Sequence, residues 1–423
     1  MEHKDSVIYK KSVLPNGLTV ITESIPYVRS VSLGLWLNVG SRDESTVSSG
    51  ISHFVEHMVF KATKNRNASQ IASFLESVGG TLNAFTSREQ TCYYAKFLDE
   101  HLAKGVEILS DLVNNASFSR SDIEKEKKVV LEEISDIEDS PGDLVHDLFA
   151  ATVFGKHPLG RPIMGDRRSV KNMNRAKILR YVNKHYRCNK MVLAACGNLD
   201  HDVLADLAEK YFGNLSPLEH RNGRTKPSIR PIYRSFNRKT AQTHICLGIQ
   251  ALSFNHESRP AMLILNSILG GGMSSRFFQR LRENLGLVYT VFSYVDFFMD
   301  VGLFGIYLGT EKKNVRSALS AIKMEIETIC SRKLTVEELR DAKEQLKGGL
   351  VLGLENTSNR MNRLAKHEFL AERHISIDET IAGIDAVGAD EIVEISRVLF
   401  TGKRFSGVSL GSVKKDIFSA LEH

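Results

Sequence analysis

Apolar positions along the chain change period several times, and each change marks an element. Residues 18–23 and 31–39 carry strand-like runs. Helix-spaced apolar residues follow over 47–61, and a further strand pair fits 80–97. The second half repeats this order: a strand at 244–250, a helix at 259–269, the glycine run Gly270-Gly271-Gly272 and a second helix ending at Asn284. Strands at 288–298 and 302–308 and an amphipathic helix at 313–331 complete it. Shared order without shared identity implies a duplicated α+β unit, expected as two similar domains, each an antiparallel-rich mixed sheet with helices packed on one face. Pro217, Gly223, Pro227 and Pro231 interrupt the pattern between the halves, which predicts domains at 1–215 and 236–423 joined by a linker at 216–235.

Length agrees, since 423 residues exceed what one hydrophobic core ordinarily serves. Composition narrows the function classes. No apolar run reaches the roughly 18 to 20 residues that span a bilayer, so no membrane segment is expected. Net charge is +6, with acidic and basic residues interspersed, which argues against nucleic acid as a partner. The main basic stretch, Arg221, Arg224, Lys226, Arg230, Arg234, Arg238 and Lys239, coincides with the proline-rich linker and reads as solvated. Five scattered cysteines without a Cys-x-x-Cys pair fit a reducing compartment, and residues from Met1 to Asp5 onward lack the apolar core of a secretory signal. A cytoplasmic location is the expectation.

Chemistry concentrates at Gly50-Ile51-Ser52-His53-Phe54-Val55-Glu56-His57-Met58-Val59-Phe60. Ile51, Phe54, Val55, Met58 and Val59 form a helical stripe that faces a core, and His53, Glu56 and His57 lie off it. Residues four apart stand one above the other on a helix, so both imidazoles can bind one zinc ion at about 2.0–2.1 Å. Glu56 then flanks the metal, placed to deprotonate a zinc-activated water, in a His-x-x-Glu-His order that reverses His-Glu-x-x-His. Chance spacing on a solvated helix is the competing explanation, and a third ligand would separate the two.

Ser121 to Glu124 has the form of a capping box, and the helix it opens has Ile123, Val130, Ile134 and Ile137 on one side. Glu126 and Glu133, seven apart, are nearly in register, so one can ligate metal while the other supports from behind. Taken alone, the run of glutamates and lysines also fits an ordinary solvated face.

Together these residues resemble the pitrilysin and insulinase family of metallopeptidases, in the branch that includes mitochondrial processing peptidase and its bacterial relatives. His53-Phe54-Val55-Glu56-His57 matches the metal motif, and further matches are Leu14-Pro15-Asn16-Gly17-Leu18, Gly40-Ser41-Arg42 and His157-Pro158-Leu159-Gly160-Arg161. The resemblance implies one zinc per chain, with Glu133, 76 positions after His57, as third ligand and Glu126 as its supporting glutamate. Gly79-Gly80-Thr81-Leu82-Asn83-Ala84-Phe85-Thr86 resembles the edge strand that pairs with an extended peptide, making Asn83, Ala84 and Phe85 substrate-binding candidates. By pattern alone it is equally an ordinary hairpin.

Arg282-Glu283-Asn284-Leu285-Gly286-Leu287-Val288-Tyr289 resembles the segment whose arginine and tyrosine reach the scissile bond, giving Arg282 and Tyr289 catalytic roles. Pattern alone gives a helix-end arginine and a strand tyrosine after a Gly286 stop. Asp143 and Asp147 resemble the pair that receives a substrate arginine, and they also read as plain acids near a helix N-terminus. The family closes four such domains around a chamber and this chain supplies two, so a second chain is expected: another copy, or an inactive homologue. A non-catalytic assembly subunit is the alternative within the same fold, and an unrelated hydrolase with His146 as a ligand is the alternative outside it.

Overall fold

A computed structural model describes residues 7–217, 223–331, 334–413 and 417–421. Two compact α+β units emerge, parting at Arg224/Thr225 inside the expected linker. Residues 218–222 of that linker, Arg221 included, and the stretch from Met1 to Asp5 lie outside the described residues.

The first unit is built on six strands: β1 (Ile8–Val13), β2 (Thr19–Ser24), β3 (Ser30–Leu37), β4 (Thr81–Thr86), β5 (Thr91–Leu98) and β6 (Met191–Gly197), in the order β1-β2-β6-β3-β5-β4. All neighbours are antiparallel except β2 and β6. Strand periodicity assigns the faces. Val20, Leu33, Leu35, Tyr93 and Leu193 meet helices Ile51–Val59, Leu102–Asn115 and His201–Phe212, whereas Ile21, Trp36, Cys92 and Val192 point the other way.

The second unit carries β7 (Tyr233–Phe236), β8 (Thr243–Ala251), β9 (Val288–Phe297), β10 (Gly302–Thr310) and β11 (Ser406–Leu410), ordered β7-β11-β8-β10-β9. Only β7 and β11 run parallel. Ile245, Leu247, Phe304 and Ile306 pack on helices Arg259–Gly270, Val315–Ser331 and Ala389–Phe400.

Both sheets are thus antiparallel-rich and mixed, as the pattern implies, with the main helical layer on one face. The other face is not bare. Helix Thr357–Ala371 lays Met361, Leu364 and Ala365 on Ile21, Trp36 and Val192 in the first unit, and helix Pro141–Phe154 lays Val145, Phe149 and Val153 on Cys246, Leu303 and Val408 in the second. Each unit is therefore discontinuous. The first comprises residues through Ser135, Arg161–Arg224 and Gly353–His374, and the second takes Asp136–Gly160 with the remainder, which departs from the contiguous domains 1–215 and 236–423. An amphipathic helix declares that one face is buried but not which sheet buries it.

Two local expectations shift. The end of the expected linker is strand β7, and its Arg224 is no solvated residue: it pairs with Asp43 at 2.7 Å and donates to the Glu89 carbonyl. Helix Arg120–Asp139 starts before Ser121, and its first turn is capped by Ser119, whose Oγ accepts from the Asp122 N–H at 3.1 Å.

Candidate metal centre

Helix Ile51–Val59 presents its chemistry because its apolar stripe has nowhere else to go: Ile51, Phe54, Val55, Met58 and Val59 are all at most 1% exposed. That fixes the helix's rotation and leaves His53, Glu56 and His57 on the flank. Helix Arg120–Asp139 buries Ile123, Val130 and Ile134 and brings Glu126 and Glu133 to the same place.

The His53, His57 and Glu133 ligand atoms lie within 4.8 Å of one another. Glu133 Oε1 is 3.7 Å from His57 Nε2, and Glu133 Oε2 is 4.0 Å from His53 Nε2. Tetrahedral zinc with bonds of about 2.0–2.1 Å places its donors roughly 3.3–3.5 Å apart, so small movements suffice for one ion to join all three. Glu133 Oε2 and His53 Nδ1 are buried and unpartnered among the described residues. A cation between Glu133 and His53 satisfies the carboxylate oxygen, and on these grounds the residues fit the metal.

Around the ligands a second set of contacts fixes their orientation. His57 Nδ1–H donates to Glu126 Oε1 at 2.7 Å, so that in the neutral ring Nε2, which faces Glu133, carries the lone pair. Lys61 Nζ holds the other Glu126 oxygen at 2.7 Å. Burial alone would raise the Glu126 carboxyl, but the bonds from His57 and Lys61 outweigh it and hold the group below its ordinary value. His53 is pushed down to about 4 by burial, reinforced by His57, and so stays neutral and able to ligate near pH 7. Glu56 is raised, chiefly by burial, against a stabilising hydrogen bond from Thr86 Oγ1 to its Oε2 at 2.5 Å.

Thr86 ends β4, the edge strand of the first sheet. Leu82 and Ala84, on the same side of β4 as Thr86, pack toward the core that holds helix Ile51–Val59. Phe85 packs edge-on against Trp36 on the opposite face, and Asn83 Oδ1 accepts from the Ala84 N–H at 2.8 Å. The candidates Asn83, Ala84 and Phe85 therefore sit on an open sheet edge, with Phe85 serving the core. Thr86 itself was not singled out from sequence, although its same-face relation to Ala84 is visible in the period of two. Lys61 also escaped notice; its spacing of four from His57 is the signal it carries.

Arg282, Tyr289, Asp143 and Asp147 belong to the second unit. Arg282 lies in the π-helical turn Phe278–Asn284, half-exposed with its guanidinium over the Phe278 ring, and Gly286 ends that segment at φ +58, as the pattern expected. Exposed Tyr289, at the start of edge strand β9, donates to Glu311 at 3.1 Å, which raises its hydroxyl pKa. Asp143 accepts from Ser140 Oγ at 2.6 Å in the first turn of its helix, the position of a plain acid near a helix N-terminus. His146 stacks among Phe292, Tyr294 and Tyr307 in the same unit. It belongs to no group of three or more metal-ligating side chains among the described residues.

Comparison with known proteins places this geometry in context. The family model described as insulinase (peptidase family M16) matches residues 19–167, and that described as peptidase M16 inactive domain matches residues 172–346. An uncharacterized zinc protease of Streptomyces coelicolor is 40% identical over 413 residues, 96% of this chain and 90% of that one. The uncharacterized zinc protease YmxG of Bacillus subtilis is 38% identical over 392 residues, 93% and 96% of the two chains. A crystal structure of a protease from Helicobacter pylori shares the fold with a TM-score of 0.89 at 22% identity, covering 96% of this chain and 99% of that one.

Proposed function

Given that the chain belongs to the insulinase family of peptidases, family M16, we propose that it is a zinc-dependent endopeptidase that hydrolyses extended peptides at the centre formed by His53, His57 and Glu133. The observation that carries this reading is the convergence of those three ligand atoms within 4.8 Å beside the Glu56 carboxylate. Relatives named zinc proteases support it. All four residues fall within the 19–167 match, outside the segment that resembles the inactive domain.

A zinc ion held by the three ligands supplies Lewis-acid polarisation and lowers the pKa of water to roughly 7. Glu56 does the proton work. Its Oε2 is held by Thr86, so Oε1 takes the proton from the attacking water and returns it to the leaving amine. Glu126 and Lys61 keep His57 oriented throughout. The β4 edge holds the substrate backbone by strand addition, with Asn83 yielding the Ala84 N–H as the peptide arrives. The partner is a second copy of this chain, Arg282 of the partner subunit and Tyr289 of the partner subunit stabilise the developing oxyanion, and Asp143 and Asp147 receive a basic substrate side chain. A processing-peptidase-like specificity follows from that acidic pair. No helix among the described residues is long and apolar enough to cross a membrane, and a cytoplasmic site of action is part of this proposal.

Zinc content and cleavage of a quenched-fluorescence peptide library, on wild type and Glu56→Gln, test the reading. Glu56→Gln keeps its zinc and loses roughly 10²–10⁴ in rate. A wild-type chain that neither takes up zinc nor cleaves peptides refutes it in favour of a non-catalytic assembly subunit.

A further inference from the structure

Helix Ile51–Val59 is only nine residues long, too short to be stable by its own backbone bonds, yet it positions two proposed metal ligands. Its first-turn N–H groups need partners, and the usual solution, a serine or aspartate at the cap, is sterically barred. The cap is Gly50 at φ +86, and a Cβ there would stand 2.3 Å from the Met164 carbonyl oxygen. The task passes to a residue six positions upstream. Glu44 Oε2 accepts from the Gly50 N–H at 2.7 Å and Glu44 Oε1 from the Ser52 N–H at 2.8 Å, with the side chain almost wholly buried.

We propose that Glu44 is a positioning residue for the metal centre: its carboxylate fixes where helix Ile51–Val59 begins, and hence where the His53 imidazole stands relative to His57 and Glu133. This rests on the zinc reading above. His53 leaves the helix from the same first turn whose N–H groups Glu44 holds, so slack there moves its ring directly. Zinc tolerates little of it, since ligand distances must fall within roughly 0.2 Å of their ideal values. The surroundings of Glu44 are built to keep it still. Arg161 donates to its main-chain carbonyl, Tyr181 OH bonds Ser52 Oγ at 2.7 Å, and Ser169 Oγ holds the Ser49 carbonyl at 2.7 Å. Burial pushes the Glu44 carboxyl up to about 7, while the two N–H bonds favour its charged form.

Zinc affinity of the full chain, measured by competition with a chromophoric chelator, reads this role without reference to turnover. Glu44→Gln preserves shape but accepts only one of the two N–H groups well, and is expected to weaken zinc binding roughly tenfold, with kcat/KM restored by excess zinc. Glu44→Ala should weaken it further; if that variant does not fold, Glu44→Gln decides. Zinc affinity within twofold of wild type in Glu44→Gln, with or without a lowered melting temperature, reduces Glu44 to a structural role and overturns the proposal. A wild-type chain that takes up no zinc overturns both readings, whereas one that binds zinc without cleaving peptides refutes the peptidase alone and leaves the affinity comparison valid.

Discussion

Thr86→Val tests the proposed base through a single hydrogen. Valine matches threonine in shape, so β4 and its packing persist while the 2.5 Å bond to Glu56 Oε2 is lost. Burial already raises the Glu56 carboxyl, and the Thr86 bond is the foremost influence opposing it. The sign follows: the bond favours the carboxylate, its removal favours the protonated form, and a base is useless while protonated. The acid limb of the kcat/KM profile therefore moves to higher pH in the variant. A hydrogen bond to a charged group is worth about 1.5–3 kcal/mol, of which roughly 1.4 kcal/mol corresponds to tenfold. On the acid limb cleavage should thus fall by about tenfold or more. On the alkaline plateau, where Glu56 is ionised in both proteins, the rates should converge. The assay is a pH series with one quenched-fluorescence peptide, zinc content being checked at each pH. Superimposable acid limbs would refute the assignment of Glu56 as base, and a uniform loss at every pH would assign Thr86 to packing instead.

Two further outcomes follow from the same geometry. Glu126→Gln keeps a partner for His57 but removes the charge that fixes its tautomer, and zinc affinity should fall about 10- to 100-fold in chelator competition; an unchanged affinity would show that His57 needs no support. Phe54→Ala empties a fully buried site under the metal helix and should cost about 3–5 kcal/mol in urea unfolding of the first unit, against which a loss below about 1 kcal/mol would deny the helix its place in the core.

Much of this centre was legible in the sequence because it depends on helical periods. The stripe of Ile51, Phe54, Val55, Met58 and Val59 set the rotation of one helix, and the seven-residue spacing of Glu126 and Glu133 set that of the other. Glu44, Lys61 and Thr86 were not legible in that way. Each acts through the bond it makes to a residue on another turn or element, and the period of its segment can at most place Thr86 and Lys61 on the right face without naming the partner. The same holds for Ser119, which displaced the expected cap at Ser121: both offer a hydroxyl, and only the backbone path decides which one meets a free N–H. The strands at 244–250 and 302–308 were legible as apolar runs, yet the helix on the second face of each sheet was not, since apolar side chains are complementary to any apolar surface.

Those two helices bear on how the chain is made. The first sheet has all its strands once Gly197 has emerged, but the helix that covers Ile21, Trp36 and Val192 ends at Ala371, about 170 residues later. At roughly 5–20 residues per second, translation of that stretch takes on the order of 10 to 35 seconds. Throughout it the nascent amino-terminal unit shows water an apolar surface that its own sequence has yet to deliver a cover for, and a ribosome stalled near the linker would release a sheet with one side permanently open.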